Sequence, residues 1–441
     1  VEVRGARRTS SDAGLLARQR TAPVVSDGIS AEQISRSPDS DAADALVRVT
    51  GVSVVDDKFV VVRGLSERYS NTLLNEMEVA SPEPTKRIVP MDVFPASLLE
   101  SVVTSKAATP DKPGDFAGGT VEITTKEFPD RPVLDFKIKA GFHDLTTFKD
   151  VAAPSPRGMD FLAFDGKGRD PGRPEGTEAF AESIRNEWTP SIRSIPPNFG
   201  LGLTWGDQVG DFDGTLGWVL SLDYGQETKH NPDRYWAFVD DITQGVPLLE
   251  ATNTGTSVGT DWGGVANISA RLGTNNTLSW KNLVTREANE DTSFRSGIDP
   301  ENQGPGDGPG SDQVQTYQVR YVERTLFQTQ LVGTHMLPFL GNSMFDWKFS
   351  AAYAGRNEPE NRSVTYLYND NENRFEIDDS KKNNFWYRFL DEWTYVAQAD
   401  FNVPFNLLRR DGSFKTGGRF RIRNRDFEAE RWSFDKPTGK E

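Results

Sequence analysis

The residues that could carry out catalytic or metal chemistry are few and scattered in this 441-residue sequence, which has three histidines and no cysteine. His143, His230 and His335 lie far apart, and none has a second ligand at the spacing of a zinc site. The absence of cysteine excludes disulfides, zinc thiolates and iron–sulfur clusters. No nucleophile elbow or catalytic triad pattern occurs. The sequence therefore predicts no enzyme activity, no resident metal and no cofactor.

Three loop-like runs have the composition of ion sites without the required spacing. Asn369–Asn373 and Asp378-Asp379 are rich in the oxygen ligands that calcium prefers, but they lack the glycine and terminal glutamate of an EF-hand loop. Gly304–Gly310 is glycine-rich like a phosphate loop, but no Lys-Ser/Thr pair follows, and its prolines remove amide donors. All three runs are predicted to be solvated loops.

Four arginines recur at every second position near the end of the chain: Arg419, Arg421, Arg423 and Arg425. In a strand, this spacing places all four on one face. Such a row attracts anionic ligands or pairs with carboxylates from another part of the chain. We favour the second interpretation, structural pairing.

These arginines belong to the last of a series of strands, which are predicted from alternation of apolar and polar residues with period two. In the first, Leu134, Phe136 and Ile138 share one face, while Asp135 and Lys137 take the other. Nine strands are predicted, at about residues 132–143, 198–208, 214–228, 264–272, 277–289, 314–337, 343–358, 387–404 and 414–431. A soluble sandwich also alternates, but it rarely sets charges and glycines opposite aromatic-rich faces over strands this long.

Composition and loop lengths favour the wall of a lipid-facing barrel. The sequence has 39 glycines and 11% aromatic residues, and no apolar run of the length that a membrane helix needs. Its net charge of −15 argues against a nucleic-acid partner. Tight turns alternate with long connections, as expected for periplasmic turns and external loops. The long connections are predicted at Leu145–Asn198, Lys229–Gly263, Ala288–Gln313 and Pro359–Tyr387.

The chain before Lys126 has a different, mixed α+β character. Asp41–Val49 is predicted as a helix with Ser40 as N-cap, and Val52–Val55 and Phe59–Val62 as a hairpin. Val1–Arg20 is predicted to be poorly ordered. These patterns divide the chain into an N-terminal segment (1–21), a compact α+β domain (22–126) and a barrel region (127–441).

The compact domain resembles the plug of TonB-dependent outer-membrane receptors. The resemblance rests on motifs that occur in the family's order and spacing: Ala45–Val54, Val62-Arg63-Gly64-Leu65, Leu73-Leu74-Asn75, Leu99–Lys106 and Gly118–Lys126. It implies a mainly β fold, with an α+β plug followed by about nine of the roughly 22 strands of a plugged barrel. We therefore expect an N-terminal part of a longer protein.

The resemblance also implies a mechanism. A scarce nutrient would bind between the external loops and the plug apex, and TonB would pull the N-terminal segment from the periplasm. It assigns ligand contacts to Glu67, Arg68, Tyr69, Lys86 and Arg87, ion pairing with acidic wall residues to Arg63 and Lys106, and TonB contact to Val1, Glu2 and Val3. The expected partners are TonB with its inner-membrane energising complex, a small nutrient ligand, outer-membrane lipid or lipopolysaccharide, and surface lipoprotein subunits. The alternative is a receptor-like barrel that serves as a structural component of a surface complex.

Overall fold

A computed structural model of the chain describes residues 11–434, except positions 23, 87, 108, 115–117, 128–130, 156, 165, 171, 173–178, 180–181, 185–188, 212–213, 240–246, 300–311, 379–382 and 408–409. An α+β unit up to residue 127 (the N-terminal unit) precedes a sheet of long antiparallel strands from residue 133 (the wall). The predicted fold class is therefore confirmed. In the described part of the chain, no helix is both long and apolar enough to cross a membrane.

The N-terminal unit is built on a five-stranded sheet in which one pair of neighbouring strands runs parallel and the other neighbours run antiparallel. Its helices are α1 (Asp12–Thr21), α2 (Ala31–Ser35) and α3 (Ala42–Leu46). Its strands are β1 (Ser26–Ser30), β2 (Val52–Val55), β3 (Phe59–Val62), β4 (Ser70–Leu74), β5 (Met77–Glu78), β6 (Leu99–Ser105) and β7 (Gly119–Thr125). Three short 3-10 turns complete it, at Glu67–Tyr69, Met91–Val93 and Ala96–Leu98.

Local side-chain chemistry explains where these elements begin and turn. The Asp41 carboxylate accepts a hydrogen bond from the Asp44 N–H at 3.0 Å, so Asp41 caps α3 and the predicted cap at Ser40 is one residue early. The predicted β2–β3 hairpin is confirmed, and its turn residues Asp56 and Asp57 have φ values of 56° and 53°. This left-handed pair lies at the centre of a turn closed by the Lys58 N–H, which donates to the Val55 carbonyl at 3.1 Å, and its twist matches that of a hairpin.

The prediction of a poorly ordered terminus is wrong over the second half of Val1–Arg20. The Ser11 hydroxyl accepts from the Gly14 N–H at 3.2 Å and starts α1. Residues 1–10 lie outside the described part of the chain. A capped helix thus leads into β1.

The wall is a ten-stranded sheet in which consecutive long strands pair antiparallel. Its strands are β8 (Val133–Gly141), β11 (Asn198–Asp211), β12 (Gly214–Val239), β13 (Pro247–Leu272), β14 (Asn276–Ile298), β15 (Gln313–Leu337), β16 (Ser343–Asn369), β18 (Asn383–Leu407) and β19 (Arg410–Phe434), with the short β17 (Arg374–Ile377) beside β16. All nine predicted strands are present.

The two faces of the wall differ as the alternation predicts. One face, which we call inner, packs on the N-terminal unit and shares its hydrophobic core through Val265, Leu283, Leu326, Ala352 and Ala354. The opposite, outer face leaves large apolar side chains exposed, among them Leu134, Phe136, Ile138, Trp205, Trp280, Leu331, Phe349, Phe420 and Ile422. An apolar outer face beside a mixed inner face is the pattern of a barrel wall.

The strands extend well into regions predicted as loops, so three of the four long loops are shorter than predicted. Strand β13 begins at Pro247 and β14 continues to Ile298. Strand β16 passes through Pro359 by a register shift against β18 between Glu358 and Asn361. Proline is tolerated in a sheet at such irregularities, since no ladder hydrogen bond is required there.

The first predicted loop, Leu145–Asn198, contains ordered structure in its described residues. It forms a small sheet of β9 (Asp150–Ala153) and β10 (Ser191–Ser194), a 3-10 turn at Asp160–Leu162, and the short helix α4 (Gly166–Arg169). Val151, Ala153 and Ile195 make a small buried core. We call residues 142–197 the first external segment.

Candidate functional site: the seam between the N-terminal unit and the wall

The inner face of the wall meets the N-terminal unit through buried ion pairs, and we call this interface the seam. At its centre, the Arg324 guanidinium of β15 contacts the Asp92 carboxylate at 2.6 Å and the Glu287 carboxylate of β14 at 2.5 Å. The Lys58 ammonium approaches Asp92 at 3.3 Å from the β2–β3 hairpin. The seam therefore joins a carboxylate of the N-terminal unit to a cation of the wall.

The backbone holds Asp92 in place. The Met91 N–H donates to the Lys58 carbonyl at 2.8 Å, which ties the 3-10 turn carrying Asp92 to the hairpin. Burial alone would raise the pKa of the Asp92 carboxyl, but Arg324 and Lys58 outweigh burial and hold that pKa below its usual range. Asp92 therefore remains an anion in this position.

The same arrangement, an acid of the N-terminal unit paired with a cation of the wall, recurs along the seam. Glu83 of the N-terminal unit contacts Arg356 of β16 at 2.9 Å. Glu78 contacts Arg421 of β19 at 2.6 Å, and Arg419 and Arg423 lie within 3.9 and 4.0 Å of it. The row of arginines on β19 thus faces acids of the N-terminal unit, as the pairing interpretation predicts.

Wall side chains also satisfy backbone groups of the N-terminal unit. The Gln330 amide donates to the Leu74 carbonyl at 2.8 Å, and the Asn267 amide donates to the Lys126 carbonyl at 2.6 Å. The Ser81 N–H donates to the Glu392 carboxylate at 3.1 Å. Buried backbone groups need such partners. These specific bonds therefore fix one relative position of the N-terminal unit and the wall.

A cavity of about 420 Å³ opens in the seam near the tight turns of the wall. Charged side chains line much of it, including Glu76, Asp111, Lys348 and Lys415. The Lys348 ammonium pairs with Glu76, and Lys415 lies 3.8 Å from Asp111. Pairs with partly exposed side chains contribute only about 0–1 kcal/mol, so these two pairs hold this end of the seam less firmly than the buried Arg324 pairs hold its centre.

Four of the five residues predicted at the ligand apex lie in the described structure. Glu67 and Lys86 form an ion pair at 3.1 Å, which joins the two predicted apex loops, and the Lys86 hydrogen bond lowers the pKa of Glu67. The Arg68 guanidinium lies 5.7 Å from the Tyr69 ring, and both residues are exposed. Arg87 lies outside the described residues.

Arg63 and Lys106, predicted to pair with wall acids, lie in different environments. The Lys106 ammonium pairs with Asp27 of β1, within the N-terminal unit. Strand β1 pairs along β6 and so places Asp27 beside Lys106; pairing of Lys106 with a wall carboxylate stays a prediction. Arg63 is exposed at a left-handed position (φ 56°), and its pairing stays a prediction. Val1, Glu2 and Val3 lie outside the described residues.

The central cation, Arg324, and the anions around it were not among the residues predicted from the sequence. Arg324 shares its strand face with Leu326 and Gln328, so the alternation of β15 could have placed it towards the N-terminal unit. Asp92 and Glu83 carry no such signal, since they lie in irregular turns. Their role appears only when the two parts are packed together.

Residues 18–121 match the family described as the TonB-dependent receptor plug domain. The N-terminal unit is therefore identified as a plug domain of the kind found in TonB-dependent receptors, and the resemblance seen in the sequence is confirmed. We call this unit the plug from here on. No curated protein matches the chain.

Three solved structures illustrate what the chain is similar to. The ferric citrate transporter FecA in its unliganded form is 9% identical, with 93% of this chain and 60% of that chain covered and a TM-score of 0.34. The siderophore receptor PirA from Acinetobacter baumannii is 10% identical (89% and 62% covered, TM-score 0.32). A mutant of the ferric enterobactin receptor PfeA from Pseudomonas aeruginosa is 9% identical (89% and 63%, 0.31). The chain thus spans 60–63% of their length.

Proposed function

We propose that this chain is the plug and the first wall strands of an outer-membrane receptor that takes up a scarce nutrient with energy supplied through TonB. The observation that carries the proposal is a plug domain seated on the inner face of an antiparallel wall whose outer face is apolar. Residues 22–126 are the plug, residues 127–441 form wall and external segments, and residues 1–21 lie in the periplasm.

The order of the plug strands supports a pull from the N-terminus. Strand β1 is the first strand of the chain and lies at one edge of the plug sheet, paired with β6 alone. Force applied through Val1–Val3 passes through α1 and reaches β1 before any other strand of the plug sheet, where it opens the ladder against β6. The Lys106–Asp27 ion pair joins β1 to the end of β6. It therefore breaks early when the plug is pulled.

The ligand side of the plug is the end where the 3-10 turn Glu67–Tyr69 lies. Strand β4 starts there, and its other end, Leu74, binds Gln330 seven residues from the turn end of β15. We assign direct ligand contact to the exposed Arg68 and Tyr69, and positioning of the loops to the Glu67–Lys86 pair. Arg87 belongs to the same proposed group by its place in the sequence.

The test is uptake by the full receptor in its own cells. A strain lacking the receptor is complemented with the wild-type gene and offered a panel of iron chelates, oligosaccharides, peptides and vitamins, each with and without TonB. At least one nutrient should enter in a receptor- and TonB-dependent way. If none does, and a surface complex instead loses a subunit when the receptor is deleted, the structural alternative replaces this proposal.

A further inference from the structure

The first external segment packs on the outer face of the wall, opposite to the plug. Val265 of β13 belongs to the core shared with the plug, and an added Cβ at Gly263 would lie 2.9 Å from Leu98 of the plug. Trp262, the neighbour of Gly263, instead donates to the Leu162 carbonyl of the segment at 3.0 Å. Because successive side chains of a strand point to opposite faces, the segment lies outside the wall.

Three consecutive carbonyls of the segment bind three wall strands. The Phe161 carbonyl accepts from the Tyr224 hydroxyl at 2.7 Å, and the Ala163 carbonyl accepts from the Arg286 Nε at 2.5 Å, on either side of the Trp262 bond. The Arg286 guanidinium also lies 4.1 Å from the Phe164 ring. We call residues 159–164 the docked turn.

A buried arginine fixes the segment beside this turn. The Arg169 side chain is fully buried and contacts Asp160 at 2.9 Å, Glu290 of β14 at 2.6 Å and Glu360 of β16 at 3.3 Å. Its guanidinium lies 4.1 Å from the Tyr321 ring of β15. A buried cation with several carboxylates and an aromatic ring has little freedom to move. The docked turn is therefore a fixed part of the outer face.

The height of the docked turn follows from strand lengths. Tyr224, Trp262 and Arg286 each lie ten residues from the tight-turn end of β12, β13 and β14, respectively. A tilted strand crosses the hydrocarbon core in about 9–11 residues. Tyrosine and tryptophan side chains typically mark the boundary between hydrocarbon and headgroups. In the proposed receptor, this distance from the tight turns places the docked turn at the outer boundary of the bilayer.

The docked turn leaves apolar side chains uncovered at this height. Phe161 is 53% exposed, Phe164 47% and Met159 45%. Further exposed apolar side chains occur on the same segment, at Phe142, Phe148 and Ile192. Exposed apolar side chains grouped on one turn, here Met159, Phe161 and Phe164, mark a contact site for protein or membrane. Here the apolar band of the wall lies directly beneath it, and lipid is what that band contacts.

We propose that the docked turn is a lipid-binding shelf, with Phe161, Phe164 and Met159 inserted between the headgroups and acyl chains of the outer leaflet. This inference rests on the proposed outer-membrane function. The shelf would set how deep the wall sits in the bilayer, and it would keep the first external segment clear of the ligand entrance. Its bonds to Tyr224, Trp262 and Arg286 use main-chain carbonyls. The Phe161 and Met159 side chains remain exposed towards lipid, while Phe164 also packs against Trp262 and Arg286.

The test uses single cysteines, because these 441 residues contain none of their own; any cysteine elsewhere in the full receptor is first replaced by serine. The full receptor carrying Phe161→Cys is labelled with a bimane fluorophore and placed in liposomes with or without brominated acyl chains. Phe349→Cys, on the lipid-facing surface of β16, is the positive control, and Asn371→Cys, between β16 and β17, is the water-exposed control. Met159→Cys repeats the measurement on the same turn if the Phe161 variant does not fold.

We expect brominated lipid to quench the label at 161 about as strongly as the label at 349 and to leave the label at 371 unchanged. A label at 161 that iodide quenches from water, while 349 responds to lipid, overturns the shelf and leaves the proposed function intact. A label at 161 that neither quencher reaches shows a protein cover and also overturns it. If 349 itself reports water, the membrane location fails, and the shelf fails with it.

Discussion

Removing Arg324 should loosen the plug more than removing any other single wall arginine of the seam. Arg324→Met deletes the cation that Asp92 and Glu287 share, and the Arg324 side chain is only 3% exposed. Breaking a buried pair by removing one partner typically costs about 3–5 kcal/mol, since a charge stays buried without compensation. We expect a loss of this size in the free energy that seats the plug.

Arg421→Met is the matched control. Its side chain is 35% exposed, and its partner Glu78 keeps Arg419 and Arg423 within 4.0 Å after the change. Partly exposed pairs contribute about 0–1 kcal/mol, so this variant should be nearly neutral. The contrast between the two variants, rather than either value alone, tests the role of burial.

Urea titration of the full receptor provides the measurement. A fluorophore on the exposed plug position Thr50→Cys reports plug release, while the tryptophans, all of which lie after residue 127, report the wall. Equal losses for Arg324→Met and Arg421→Met would refute the reasoning. So would a loss below about 1 kcal/mol for Arg324→Met.

Acid should act on this site in a defined direction. The folded-state pKa of Asp92 is lowered, so its contribution is present above the ordinary pKa of 3.8 and is lost as the pH falls through the folded value. In Arg324→Met the uncompensated carboxylates can take up protons. The stability that this variant loses relative to wild type should therefore become smaller on acidification. A deficit that stays constant between pH 8 and pH 4 would contradict the electrostatic explanation.

Three further changes test other parts of the structure. Burial raises the pKa of Asp41 to about 7, so the contribution of this carboxyl to plug stability is complete below pH 3.8 and is lost as the pH rises to about 7. Asp41→Asn keeps a cap oxygen and does not ionise. Its plug should therefore gain stability relative to wild type as the pH rises across this window, measured by urea titration. Arg169→Met should expose the first external segment to protease through a loss of about 3–5 kcal/mol, whereas Arg374→Met, at a largely exposed ion pair, should leave the cleavage rate unchanged. Tyr69→Ala should weaken nutrient uptake at an unchanged urea midpoint, and a normal uptake rate would remove Tyr69 from the proposed ligand site.

Alternation predicted the wall because the relevant physics is local. In β8, the residues Leu134, Phe136 and Ile138 must share a face whatever surrounds them, and that face is exposed on the outer side. The upper ends of the strands were not predicted, because there both faces of a strand carry polar or small side chains. Thr252, Thr254 and Thr256 lie on one face of β13, so no apolar period marks them as strand.

The seam could be predicted only in part, for a different reason. Paired charges depend on which elements meet, and a one-dimensional pattern does not contain that information. The arginine row of β19 was predictable from its spacing. The partner of Lys106 was not, since Lys106 pairs with Asp27 of the neighbouring strand β1. Arg324 and Asp92 are 232 residues apart, a separation that no local rule spans.

The hydrophobic core that the plug shares with the wall has a consequence for biogenesis. Val265, Leu283, Leu326, Ala352 and Ala354 form an apolar stripe on the inner face, and the plug covers it. A wall assembled without residues 22–126 would present this stripe to water in the pore, which favours aggregation or closure on itself. We expect a plugless version of the proposed receptor to reach the membrane in lower amounts even if every strand is intact, because nothing would then shield this stripe while the wall assembles.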